Sequence, residues 1–128
     1  MFVLIVDDNL LSCTRLLAQA RAAGWQARAV GVGPEALTLA RQRRPDAIVV
    51  NLAGSSREAA FFIQALKAEP DLAPIPVLGF CGHRETRRRE AALAAGCDRV
   101  VSNSAVVHNL PDLVSGLVSP ASGIARER

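Results

Sequence analysis

Short apolar runs of strand length alternate along this chain with segments of helical periodicity, and this alternation restricts the fold more than any other feature. The apolar runs are residues 2–6, 26–30, 47–52, 77–80 and 99–101. Most of them are continuous rather than alternating, which is typical of strands buried on both faces of a parallel sheet. Five β/α units in this order predict one doubly wound α/β domain with helices on both faces.

Helix start and stop signals divide the strands. The predicted helices are residues 9–23, 34–43, 59–68, 84–95 and 110–118, with Leu10 of the first helix facing inward. Pro34 stands at a first helical position and Gly96 just after a helix end, as is usual for these residues. Ser55 and Glu58 have the spacing of a capping box. We expect one domain over residues 1–118 and a flexible tail over residues 119–128.

Composition excludes several classes of protein. Half of the 128 residues are hydrophobic, which suffices for a core without disulfides or structural metal. Cys13, Cys81 and Cys97 form no metal-binding spacing and are expected to be buried in a reducing cytoplasm. The opening apolar run, residues 2–6, is followed by Asp7 and is too short for a signal peptide or a membrane span. His83 and His108 have no metal partners at ligand spacing.

Polar residues follow the predicted strands where a parallel α/β sheet places its ligand site, at the carboxyl ends. They are Asp7, Asp8, Asn51, Cys81, Ser102 and Asn103. The hydrophobic pattern alone leaves the strand order open, and a Rossmann-like order fits as well as any other.

At these strand ends the chain resembles the receiver domains of bacterial two-component response regulators over roughly residues 2–118. The resemblance is carried by 4–9 (LIVDDN), 44–52 (RPDAIVVNL), 75–78 (IPVL) and 95–98 (AGCD), in order and at the family's spacing. It implies a flavodoxin-like sheet in the order 2-1-3-4-5. In the family an acidic pair holds Mg²⁺ and an aspartate at the end of the third strand accepts phosphate.

Compared with that pattern, only the acidic pair Asp7 and Asp8 is retained. Asn51 stands in place of the phosphoacceptor, Cys81 in place of a Ser or Thr, and Asn103 in place of a Lys. Ser104 and Val100 replace a proline and an aromatic residue. A neutral amide is not a useful nucleophile, a thiol is a weak donor, and without the Lys no cation offsets phosphoryl charge.

The pocket residues have alternative interpretations. Asp7 and Asp8 are either a remnant acidic pocket or a cap of the first helix. Asn51 is interpreted as a hydrogen-bonding residue that relieves the repulsion a third carboxylate would cause. Cys81 is not expected to be a reactive thiol, because neighbouring carboxylates raise its pKa.

The leading hypothesis is a degenerate pseudo-receiver that works without phosphorylation, is not an enzyme, and binds a signalling protein or a second copy of itself. The resemblance implies a partner face on the fourth helix, fifth strand and fifth helix, with Arg84, Arg87, Arg88, Val100 and Asn103. The alternative interpretation of the arginine run is a solvated helix face.

Two other functions remain open. One is a divalent-metal or small-ligand sensor at Asp7, Asp8 and Asn51, with at most weak Mg²⁺ binding. The other is nucleic-acid binding through Arg41, Arg43, Arg44 and the arginines of residues 84–89. The net charge of +3 permits nucleic-acid binding. Against it, the chain lacks a helix-turn-helix segment and stacking aromatics among its arginines.

Overall fold

The computed structural model describes residues 1–54 and 56–118 and contains five strands alternating with five helices. The strands are β1 (Phe2–Val6), β2 (Gln26–Val30), β3 (Ala47–Asn51), β4 (Val77–Cys81) and β5 (Arg99–Ser102). The helices are α1 (Leu10–Ala22), α2 (Pro34–Arg43), α3 (Ser56–Ala68), α4 (Thr86–Ala95) and α5 (Asn103–Val118).

All strand pairs are parallel, and the sheet order is β2-β1-β3-β4-β5. The predicted flavodoxin-like order is therefore confirmed. In the interior strand β1, Val3 lies between Ala27 of β2 and Ala47 of β3. This register brings the carboxyl ends of β1 and β3 to the same edge, so that Asp7 and Asn51 become neighbours.

Two hydrophobic clusters cover the two faces of the sheet. Leu4, Ile48 and Val50 point to the face covered by α2, α3 and α4, whereas Val3 and Val49 point to the face covered by α1 and α5. Successive side chains of a strand point to opposite faces, so a strand covered on both sides must be apolar at every position. This explains the continuous apolar runs.

The last helix departs from the prediction. It begins at Asn103, directly after β5, instead of at Leu110. Ser102 caps its start, because the Ser102 Oγ accepts a hydrogen bond from the Ala105 backbone N–H at 3.1 Å. The proline signal at Pro111 marks an internal kink, where Asn109 has non-helical angles of φ −134° and ψ 29°. Proline lacks the N–H that would continue the ladder, and the chain bends there instead of starting a helix.

Other helix starts also differ from expectation. Helix α4 begins at Thr86, two residues after Arg84, and α3 begins at Ser56, three residues before Ala59. The predicted capping residue Ser55 lies outside the described residues. Leu10, expected to face the core, is 82% exposed because it occupies the first turn of α1, beyond the edge of the sheet. None of the helices in the described part of the chain combines the length and the hydropathy that a membrane crossing requires.

Candidate functional site

The acidic pair occupies the carboxyl edge of the sheet, but its two members have different environments. Asp7 is 3% exposed, and its Oδ1 accepts hydrogen bonds from the Asn9 backbone N–H and from Asn51 Nδ2, both at 2.9 Å. The Asp7 Oδ2 is buried and has no hydrogen-bond partner among the described residues. A buried carboxylate oxygen without a donor is costly, and a cation or a proton would relieve that cost.

Asp8 is exposed and holds the loop that follows β2. Its Oδ1 accepts a hydrogen bond from the Val32 backbone N–H at 3.0 Å. A Cβ atom on Gly31 would lie only 2.6 Å from the same oxygen, so this approach of the loop depends on glycine. This loop-holding bond was missed by the sequence analysis, because nothing in the local pattern links residues 8 and 32.

Asn51 uses both ends of its side-chain amide. Its Nδ2 donates to Asp7, as described, and its Oδ1 accepts from the Ala53 backbone N–H at 2.8 Å. Reversing the amide would lose both bonds, because it would present oxygen to a carboxylate and NH₂ to an N–H donor. Asn51 therefore joins the buried acid Asp7, just after β1, to the β3–α3 loop (residues 52–54), as its interpretation as a hydrogen-bonding residue requires.

Asn9 takes part in the site and also caps α1. It has extended backbone angles, and its side-chain oxygen accepts from the Ser12 backbone N–H at 2.9 Å. The structure thus assigns the capping role to Asn9 rather than to the acidic pair. Asp7 instead accepts the backbone N–H of Asn9, which fixes the chain just before the helix.

Two small clefts open at this edge. The first has a volume of about 300 Å³ and is lined by Asp8, Asn9, Val32, Asn51, Ala53 and Gly54. The second, of about 240 Å³, contains Asn51 and Asn103 in its wall together with Phe80 of β4. Asn51 therefore lies beside Asp8 in the first cleft and beside Asn103 in the second, while Asp7 bonds to Asn51 and lines neither cleft. No group of three His, Cys, Asp or Glu that could hold a metal ion occurs within residues 1–54 and 56–118.

Cys81 belongs to the core more than to the clefts. It is fully buried in the cluster under α2, α3 and α4, and its Sγ lies 4.0 Å from the Glu85 carbonyl oxygen. Burial raises the pKa of the Cys81 thiol, and the Glu85 carboxylate raises it further. A thiol with a raised pKa is a poor nucleophile at neutral pH.

Arg88 differs most from its predicted place on the partner face. Its Nε donates to Glu85 Oε1 at 2.7 Å, and its Nη1 donates to the carbonyl oxygens of Leu52 at 2.9 Å and Gly54 at 2.8 Å. The guanidinium thus points back over the sheet edge onto the β3–α3 loop. The i,i+3 spacing predicts the ion pair between Glu85 and Arg88. The bonds to the loop carbonyls have no such signal, because Leu52 and Gly54 are distant in sequence.

The other predicted partner-face residues keep their surface positions. Arg84, Arg87 and Asn103 are exposed, and Val100 is half-buried against the core cluster. Neither Arg84 nor Arg87 forms an ion pair with another described residue, in contrast to Arg88.

The arginines in and just after α2 that the nucleic-acid hypothesis requires have other partners. Arg41 forms a bidentate pair with Glu69 at 2.7 and 3.0 Å, and Arg44, which follows α2, lies 3.3 Å from Asp71. The guanidinium of Arg43 stacks 4.4 Å from the ring centroid of Phe2. These contacts offset part of the positive charge of this segment.

Known proteins that resemble this chain are response regulators and receiver domains. No family model matches the chain. The polar-differentiation response regulator DivK of Brucella anthropi is 26% identical over 119 residues, covering 93% of this chain and 97% of that protein. The probable transcriptional regulatory protein TcrX of Mycobacterium tuberculosis is 31% identical over 101 residues, which are 78% of this chain and 42% of TcrX.

Solved structures give the same result for the fold. The signal receiver domain of a histidine kinase from Syntrophus aciditrophicus has a TM-score of 0.81 and 26% identity, covering 99% of this chain and 94% of that one. The receiver domain of the histidine kinase PA1611 from Pseudomonas aeruginosa has a TM-score of 0.82 and 20% identity, covering 91% and 96%. That structure holds a magnesium ion in its active-site cleft.

The fold places the protein in the class of flavodoxin-like α/β domains, which have a five-stranded parallel sheet with the polar site at its carboxyl edge. The sequence relatives and structural neighbours then support a narrower assignment. In sequence and fold, the chain is similar to receiver domains of response regulators.

Proposed function

We propose that this chain is a receiver domain of the response-regulator family, and that it is a pseudo-receiver that acts without phosphorylation, as a protein–protein interaction module in signalling. The observation that carries the proposal is the amide of Asn51, which occupies the end of β3 with both of its polar atoms bonded inside the protein. An amide in this position has no nucleophilic oxygen anion to offer a phosphodonor.

The surroundings of Asn51 support the same conclusion. Cys81 is buried and offers only a weak donor, and Asn103 provides no positive charge beside the cleft. A transferred phosphoryl group would meet Asp7 and Asp8 without a lysine to offset its charge. The surroundings therefore disfavour both the transfer of a phosphoryl group to this site and the stabilisation of a phosphorylated state.

The residues at the edge fit a divalent cation only in part. The free Oδ2 of Asp7 and the carboxylate of Asp8 are suitable oxygen ligands, and Mg²⁺ bound there would offset their charge. The third position is an amide whose oxygen already accepts the Ala53 N–H. We therefore propose weak Mg²⁺ binding, and the unpartnered Asp7 oxygen is what keeps a metal or small-ligand sensor as the second candidate.

Partner binding is proposed for the face formed by α4, β5 and α5, with another signalling protein or a second copy as the partner. Arg84 and Arg87 supply exposed positive charge, while Val100 lies on β5 and Asn103 begins α5. Exposed charges of one sign accelerate and orient docking onto a surface of opposite sign. Nucleic acid is a poorer fit, because the arginines of α2 are engaged with acidic or aromatic side chains.

The first test is phosphorylation. The protein is incubated with acetyl phosphate and Mg²⁺, and intact mass is measured beside a conventional receiver domain. We expect the conventional domain to be labelled and this chain to stay unlabelled. Labelling of the wild-type chain that is lost in the Asn51→Ala variant would overturn the proposal.

The second test addresses the face. Arg84→Glu with Arg87→Glu should weaken binding of an identified signalling partner, or dissociate a dimer in sedimentation, and the loss should depend on ionic strength. The matched control is Arg21→Glu with Arg28→Glu, an equal charge change at exposed positions on α1 and β2. Equal weakening by both pairs would assign the effect to net charge rather than to this face.

A further inference from the structure

The side chain of Arg88 joins the start of α4 to a loop that is distant in sequence. Its guanidinium bonds two carbonyl oxygens of the β3–α3 loop, those of Leu52 and Gly54, and the carboxylate of Glu85 ahead of α4. The Arg88 side chain is 28% exposed, so these charged contacts are partly shielded from water. Charge-assisted hydrogen bonds in such a setting are among the stronger ones in proteins.

Glu85 is itself held in place. Its second oxygen, Oε2, accepts from the Gly82 backbone N–H at 3.2 Å, and its own backbone N–H donates to the Gly82 carbonyl at 3.0 Å. The carboxylate therefore spans the β4–α4 loop (residues 82–85) and presents its other oxygen to Arg88. One ion pair thus connects the β4–α4 loop, the first turn of α4 and the β3–α3 loop.

We propose that Arg88 is a latch, a positioning residue that holds the β3–α3 loop against the start of α4 in one arrangement. Gly54 lines the cleft beside Asp8 and Asn51, while Arg87, the neighbour of Arg88, lies on the exposed surface. The latch thus fixes the distance between the cleft wall and the proposed partner face with a side chain of the protein itself. The claim that Arg88 holds the loop rests on these contacts alone. The further claim, that this contact holds the domain in one arrangement without phosphorylation, rests on the proposed function.

Arginine is suited to this role for a geometric reason. Its planar group carries several N–H donors in a fixed fork, so one side chain reaches two carbonyls and a carboxylate together. A lysine at this position would keep the charge but provide one compact ammonium group. The Arg88→Lys variant should therefore keep only part of the restraint.

The test is amide hydrogen exchange on the isolated protein, with neither phosphodonor nor partner present. Two reporters lie in the latched loops: the Ala53 N–H, which donates to Asn51 Oδ1, and the Gly82 N–H, which donates to Glu85 Oε2. The Ile48 N–H, bonded to the Pro76 carbonyl in the sheet, reports global opening. Arg88→Ala should raise exchange at Ala53 and Gly82 about tenfold or more, and Arg88→Lys less, with Ile48 unchanged.

Arg87→Ala is the matched control, because it removes an exposed arginine one residue away and should leave both loop reporters at wild-type rates. Unchanged exchange at Ala53 and Gly82 in Arg88→Ala would refute the latch. A uniform rise that includes Ile48 would also refute it, since Arg88 would then be an ordinary stabilising residue. Neither result depends on phosphorylation, so the latch and the proposed function can fail separately.

Discussion

Replacing Asn51 by aspartate should destabilise the protein at neutral pH when no divalent cation is present. The Asn51 amide donates to Asp7 Oδ1 at 2.9 Å, and Asp7 is 3% exposed. The Asn51→Asp change removes this donor and places a second carboxylate against a buried one. Because both oxygens would carry negative charge at hydrogen-bond distance, an attractive contact becomes a repulsive one.

The size of the effect has an upper limit. Two unit charges about 4 Å apart repel by about 4 kcal/mol at an effective dielectric constant near 20. The protein can also avoid the repulsion by protonating one carboxyl. For a carboxyl with an ordinary pKa near 4, this costs about 4 kcal/mol at pH 7, so the penalty cannot be much larger than that. Some separation of the groups will reduce it. We expect Asn51→Asp to lower the free energy of unfolding by about 2–4 kcal/mol at pH 7.

Urea denaturation measures this loss, and the variants Asn51→Ala and Asp7→Asn separate its causes. Asn51→Ala removes the hydrogen bonds without adding charge and should cost about 1–2 kcal/mol. In an Asp7→Asn background, Asn51→Asp should cost less than half of its effect in the wild type. Adding Mg²⁺ should stabilise Asn51→Asp more than the wild type.

Equal stability of Asn51→Asp and the wild type at pH 7, in the presence of a chelator, would refute this reasoning. It would mean that the two side chains separate at little cost. A loss in Asn51→Ala as large as that in Asn51→Asp would show that the hydrogen bonds, and not the charge, determine the effect.

Three further predictions follow from the same contacts. Asp8→Ala should cost about 1 kcal/mol in urea denaturation through its bond to Val32, while Asp8→Asn, which keeps an acceptor, should be nearly neutral. Burial raises the pKa of all three thiols, that of Cys97 to about 11, but only Cys13 is not fully buried, so a thiol reagent at neutral pH should label Cys13 first, as measured by mass spectrometry. The hydrogen bond from Arg41 lowers the pKa of the Glu69 carboxyl. The stability that this ion pair adds should be present above pH 4.5, should be lost on acidification in urea denaturation, and should be absent in Glu69→Gln.

Much of the fold could be predicted because the hydrophobic pattern is local and the sheet is covered on both faces. The strand positions, the start of α2 at Pro34 and the end of α4 at Gly96 all follow from signals within a few residues. Pro111 misled the prediction, because a proline is equally compatible with a helix start and with a kink. The outcome depends on the packing of Val106, Leu110 and Val114 against the sheet, which continues through the kink.

The candidate site was only partly predictable. Which polar residues follow the strands is visible in the sequence, and the sheet order then brings Asp7 and Asn51 together. The roles of Asp8 and Arg88 were not visible, because each depends on hydrogen bonds to the backbone of a distant loop. Backbone acceptors and donors have no sequence signature, so a bond between a side chain and a remote loop is detected only in three dimensions.

The two outer strands affect how this protein behaves at high concentration. Strands β2 and β5 each have one edge without a neighbouring strand in the sheet, and such an edge can pair with the edge of another molecule. Arg28 is exposed within β2, and Arg99 is exposed at the start of the four-residue β5. Two copies approaching edge to edge would bring like charges together, which opposes the growth of a continuous intermolecular sheet. The arginines at these edges therefore favour solubility, and Arg28→Val should increase light scattering on heating without changing the fold of the native domain.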